Sequence, residues 1–187
     1  MRVSRLSLAG VVVVALLGGL QAVAAQVDDA TVSERAHAVS GTLSLGRTLD
    51  EGTLEWDEGR QVHHSRGVAG ADPIEMDESR LTGTLWTTWN HDSIGGRHRS
   101  GDGEVIAGTY ELVNEHGSWV GTKRGYVTLD PHRTHFWHLE LTGTDDYLGQ
   151  SVLLSIHGPA GGPWDVEGLV FPGALPPYPD PVEVPAE

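Results

Sequence analysis

No stretch of this chain sustains a helical spacing of apolar residues. From residue 39 to residue 171 it runs instead in short segments rich in Val, Leu, Thr, Trp and Tyr, separated by Gly, Asp, Asn and Pro. Such a texture buries an apolar face only as β-strands, whose successive side chains point to opposite sides. Strands are expected at residues 39–45, 53–56, 61–66, 81–89, 104–113, 119–129, 135–141, 151–157 and 164–170. Alternation is clearest late in the chain, where Trp137, Leu139 and Leu141 share one face while Phe136, His138 and Glu140 share the other. Val152, Leu154 and Ile156 repeat the pattern, and so do Trp164, Val166 and Val170. Short antiparallel strands leave two edges able to pair with another chain, and closing the sheet removes both. The expected fold is therefore all-β, a single antiparallel eight-stranded (or nine-stranded) β-barrel, with a two-sheet sandwich as the alternative.

A chain of 187 residues with 39% hydrophobic content fills one ordinary core and would be cramped as two. It holds no Cys. That excludes a disulfide scaffold, a thiol nucleophile, Cys-ligated zinc, an iron–sulfur cluster and a lipobox anchor. Residues 1–25 read as a secretory signal: Arg2 and Arg5 precede an apolar stretch around Val11 to Leu17, and Ala22-Val23-Ala24 supplies small residues for cleavage. Cleavage would leave ten basic residues against 26 acidic ones, a formal charge of −16. Nucleic acid is excluded as a partner, because ten scattered cations, Lys123 among them, make no basic footprint. The organisation expected is a signal at 1–25, a loose leader at 26–38, the β domain at 39–171 and a Pro-rich acidic tail at 172–187. The tail carries Pro176-Pro177 and Pro179 with neither an apolar anchor nor a sorting motif, so the protein is expected to be secreted, with no membrane anchor after cleavage.

A Gly-Thr pair recurs at Gly41, Gly52, Gly83, Gly108, Gly121 and Gly143 at irregular spacing. It marks places where a strand bends sharply around a closed sheet, with β-branched Thr keeping strand propensity beside the glycine. Two strings, Gly143-Thr144-Asp145-Asp146-Tyr147-Leu148-Gly149 and Gly117-Ser118-Trp119-Val120-Gly121, each carry an aromatic between two glycines, so that its ring can lie over bare backbone. The first resembles the Gly-Thr-Gly-x-aromatic-x-Gly signature of the allene oxide cyclase and dirigent group of eight-stranded barrels, with Asp145 standing where the middle glycine would be. The run from Leu81-Thr82-Gly83-Thr84 through Gly108-Thr109-Tyr110 to the Trp119 and Tyr147 turns is also similar to uncharacterised secreted bacterial proteins of the same arrangement. The resemblance implies a barrel with one open mouth and an apolar interior, which in the named families binds a small hydrophobic or phenolic intermediate and guides its cyclisation or coupling. No catalytic residue of those families can be carried over to a position of this chain.

Ten histidines invite a metal reading, above all His132, His135 and His138. In an extended strand His135 and His138 point to opposite faces, which argues against a shared ion, and no metal site or cofactor is expected. The acidic run Asp72, Glu75, Asp77 and Glu78 matches no calcium loop and reads, around Pro73, as a solvated connection between strands. Ser118 lacks the context of an activated nucleophile. Of the six tryptophans, Trp86 and Trp89 lie opposite in strand phase, one inside and one outside. With Tyr110, Trp119 and Tyr147 they form the candidate ligand-binding mouth, beside a flap over residues 90–103. The function expected is non-catalytic binding of a small apolar molecule or an extracellular partner. The alternative is a cofactor-independent, dirigent-like barrel enzyme that guides cyclisation of a small hydrophobic molecule.

Overall fold

The computed structural model describes residues 35–95, 103–128 and 132–177. The expected signal, most of the leader, the end of the tail and residues 96–102 of the expected flap lie outside the described residues. Among the described residues ten strands form one antiparallel sheet: β1 (His37–Leu43), β2 (Arg47–Asp50), β3 (Thr53–Asp57), β4 (Val62–Met76), β5 (Gly83–Ile94), β6 (Gly103–Val113), β7 (Ser118–Thr128), β8 (Thr134–Gly143), β9 (Gln150–Pro159) and β10 (Trp164–Pro172). Each strand from β4 to β10 pairs with the next, and β1 pairs with both β10 and β4, so eight strands close into a ring. At the closure Leu43 faces Trp164 on one side and Ile74 on the other. The strands β2 and β3 continue the line of β1 and pair only with the earlier part of β4.

Alternation decides which side chains enter the ring. Trp137, Leu139 and Leu141 on β8, Val152, Leu154 and Ile156 on β9, and Trp164, Val166 and Val170 on β10 are all buried, and register places them on one continuous inner face. The recurrent glycines permit the tight coiling of the wall. A Cβ on Gly121 would run into the Glu140 carbonyl of β8, and one on Gly108 into the Thr88 carbonyl of β5, closer than any side chain tolerates.

Three segments differ from the sequence reading. The first half of the acidic run, Asp72 to Glu75 around Pro73, is strand rather than connection, since β4 continues to Met76, while Asp77 and Glu78 do lie in the connection. Proline is tolerated there because it sits where the partner of β4 changes from β2 to β1. The regular ladder stops over residues 44–46, where Ser44 N–H still donates to the Pro73 carbonyl at 2.9 Å and Gly46 N–H donates to Asp72 Oδ1 at 2.8 Å. The short β2 has all four residues exposed, so no buried alternation announces it. Of the expected flap, residues 90–94 belong to β5.

A bulge in β4 matters most for the site. Between Ser65 and Val68 the register against β5 shifts, with Gly67 at φ +70°. Before the bulge His63 and Ser65 face inward; after it the inward positions are Val68, Gly70, Asp72 and Ile74. The shift therefore turns the Asp72 carboxylate into the ring.

Candidate functional site

One end of the ring is sealed. Trp119 is fully buried, Tyr147 stacks on it with ring centroids 4.9 Å apart, and the Tyr147 hydroxyl donates to Asn114 Oδ1 at 2.7 Å. Tyr147 reaches this position from a single 3-10 turn, Asp145–Tyr147, whose first residue lies at φ +52°. That left-handed conformation favours glycine, the residue of the resembled signature at this place, and Asp is among the few others that adopt it. Trp119 Nε1 and Asn114 Nδ2 both donate to the Arg80 carbonyl, at 2.8 and 3.0 Å. The Arg80 guanidinium holds Glu78 through two bonds of 2.9 Å and reaches Gln150 Oε1 at 2.6 Å. Glu78 is accordingly held well below the usual carboxylate range, at about 2.

The middle of the ring carries different chemistry. Lys123, inward on β7, is 4% exposed. Its ammonium donates to Tyr110 Oη on β6 and lies 3.7 Å from the ring centroid of Trp137, with the Tyr110 and Trp89 rings at 5.0 and 5.7 Å. Among the described residues no carboxylate lies within ion-pairing distance of it. Burial in these aromatic surroundings pulls the amine down to about 7, against the charge of Asp72, which acts in the other direction. Burial also raises Asp72 and pushes the Tyr110 phenol up, so Tyr110 keeps its proton throughout the neutral range.

Toward the other end the inner face turns polar. Arg133 bonds both oxygens of the buried Glu104, at 2.9 and 2.7 Å, and Ser93 Oγ donates to the same carboxylate at 3.3 Å. His135 packs edge-on against Trp137 and beside Trp164, and burial with the nearby Arg133 and Lys123 charges takes it down to about 4. His91 is lowered chiefly by burial. Here several buried polar atoms lack partners among the described residues: the indole Nε1 of Trp137 and of Trp164, and His135 Nδ1. Inward-facing Asp72, Trp89, His91 and His135 are only half-buried, so solvent reaches this part of the interior while the Trp119 end excludes it.

The five candidate mouth residues are thus divided. Trp119 and Tyr147 belong to the sealed end, and Trp89 and Tyr110 surround Lys123 in the middle. Trp86 stands on the outer wall at 38% exposure, opposite in phase to Trp89. His135 faces inward while His138 faces out and hydrogen-bonds Ser155 Oγ at 3.0 Å, and among the described residues no three metal-binding side chains gather. An open groove of about 560 Å³ lies on the outer wall between Thr122, Arg124, His138, Leu153 and Leu169, away from the buried polar groups. Among the described residues no helix is long and apolar enough to cross a membrane.

Sequence reading by motif passed over Lys123, although two signals pointed to it. It is the one lysine in the chain, against eleven arginines. It also shares strand phase with Trp119 and Val127, and that face is buried. The intervening Gly121 and Gly125 hid the alternation.

No protein-family model, no curated protein and no solved structure matches this chain.

Proposed function

We propose that this is an exported, non-catalytic binding protein whose eight-stranded ring is a β-barrel of the allene oxide cyclase and dirigent kind. Its interior takes a small, flat, largely apolar molecule bearing an oxygen acceptor. The observation that carries the reading is the set of buried polar groups on the inner face. Among the described residues the Trp137 and Trp164 indoles and His135 Nδ1 have no hydrogen-bond partner, next to an aromatic-walled amine. Buried donors left unmatched cost free energy, and an acceptor on a bound molecule satisfies them. Entry is from the half-buried side near Trp89, His91 and His135, not past Trp119 and Tyr147. The apolar interior implied by the family resemblance becomes, on this reading, an aromatic interior with one central cation.

Native mass spectrometry of the protein purified from its own culture medium, under gentle and then acidic denaturing conditions, tests this. The expected result is a reproducible small-molecule adduct that is lost on denaturation. A bare mass in both conditions overturns the reading in favour of a core filled by its own side chains.

A second reading, the cofactor-independent cyclase, draws on one specific feature. Lys123 and Tyr110 form a buried, hydrogen-bonded acid–base pair able to move a proton at a bound molecule.

A further inference from the structure

A lysine is rarely buried without an ion-paired carboxylate, and among the described residues none lies within ion-pairing distance of this chain's one lysine, although Asp72 faces it, while arginine supplies every other permanently charged cation. What lysine offers and arginine does not is an amine that can lose its proton and act as a nucleophile. We propose that Lys123 is an imine-forming residue that captures the carbonyl group of an aromatic or apolar aldehyde or ketone inside the ring. The proposal rests on the interior being a ligand site, as argued above.

Two features of the geometry and one of its electrostatics support it. The Trp137, Tyr110 and Trp89 rings surround Nζ, keep water from it and offer flat faces to an aromatic carbonyl compound. With no carboxylate within ion-pairing distance among the described residues, the buried amine is neutral in a large fraction of molecules near pH 7. The Tyr110 hydroxyl stands within hydrogen-bond reach of the same nitrogen. In the step itself the Nζ lone pair forms the C–N bond while the carbonyl π pair moves to oxygen. Tyr110 donates its proton to that oxygen and is reprotonated from the attacking nitrogen, which gives the carbinolamine. Loss of that hydroxyl with the remaining nitrogen proton releases water and leaves the C=N bond. One amine and one carbonyl compound become one imine and one water, with no oxidant or reductant required. The indole N–H groups of Trp137 and Trp164 are placed to receive an oxygen substituent elsewhere on the molecule.

The chain makes the test clean, because its only other amine is the N-terminus. The protein is incubated with benzaldehyde and sodium cyanoborohydride at pH 7, and the reduced adduct is located by peptide mapping. In parallel, benzyl alcohol, which cannot form an imine, is titrated while tryptophan fluorescence is followed. The expected result is an adduct on Lys123 formed at least about tenfold faster than on the N-terminal amine. It should be absent from Lys123→Met and slowed about tenfold in Tyr110→Phe, with the site unchanged. Fluorescence quenching by benzyl alcohol with labelling confined to the N-terminus overturns the imine and leaves the ligand reading standing. Neither quenching nor labelling of Lys123 overturns both. The wild-type map alone decides the site, so the result does not depend on how well a variant folds.

Discussion

At the scale of single residues the free energy of this protein is most exposed at Lys123. Its amine, ordinarily at 10.5, lies at about 7 in the folded chain because burial disfavours the charged form. Between those values the unfolded chain holds a proton that the folded chain lacks, so stability rises as pH climbs from about 7 to 10.5 and is lost again as pH falls toward 7. The groups facing Nζ are Asp72 from β4, Tyr110 from β6 and, at longer range, His135 from β8. Lys123→Met keeps the packing and removes the buried amine. It is expected to exceed the wild type in stability by about 1–4 kcal/mol at pH 7, and by clearly less at pH 10. Urea unfolding of both proteins at the two pH values reads this; an equal difference at both would mean the amine is charged throughout. A variant more stable but unable to capture a carbonyl is the pattern expected of a residue kept for function rather than for folding.

At the scale of elements the wall is set by glycines and the sealed end by hydrogen bonds. The inner faces of β8, β9 and β10 were legible because large apolar residues recur there at every second position, with only Gly168 breaking the series, although Phe136, Leu153 and Leu169 lie on the other face. The later part of β4 was not, because Pro73 and the acids Asp72 and Glu75, followed by Asp77 and Glu78, mimic a loop, and β2 was not, because it buries nothing. The Gly-Thr pairs were read as bends, and their crowding against neighbouring carbonyls supplies the physical cause. Gly121→Ala places a methyl group against the Glu140 carbonyl and the Leu141 backbone and is expected to cost about 1–3 kcal/mol. Thermal or urea unfolding measures it; a neutral substitution would mean that β7 and β8 can separate there without loss. Of the candidate site, strand phase set Trp86 and Trp89 on opposite sides of the wall, but which of the two faces inward was not legible. Nor was the division of the aromatic residues between a sealed end and a lysine cage, since that depends on which turns close over which opening.

At the scale of the molecule, closure distributes stability unevenly. The ring strands are paired on both sides, whereas β3 pairs among the described residues only with β4. Amide hydrogen exchange is therefore expected to be slowest in β6, β7 and β8 and fastest in β2 and β3. Protection of β3 equal to that of β7 would show that another chain covers its edge. The amino-acid order alone determined that the chain is all-β and antiparallel, that it carries a strong negative charge, and which faces of its last three strands are buried. These are nearest-neighbour properties, written in the period of two along each strand. Only the tertiary structure decided that the strands close through β1 onto β4, that a bulge at Gly67 turns Asp72 inward, and that rings from β5, β6 and β8 converge on the amine of Lys123. Such meetings depend on the register between strands far apart in the chain, and register is set by bulges and closure, not by any local pattern.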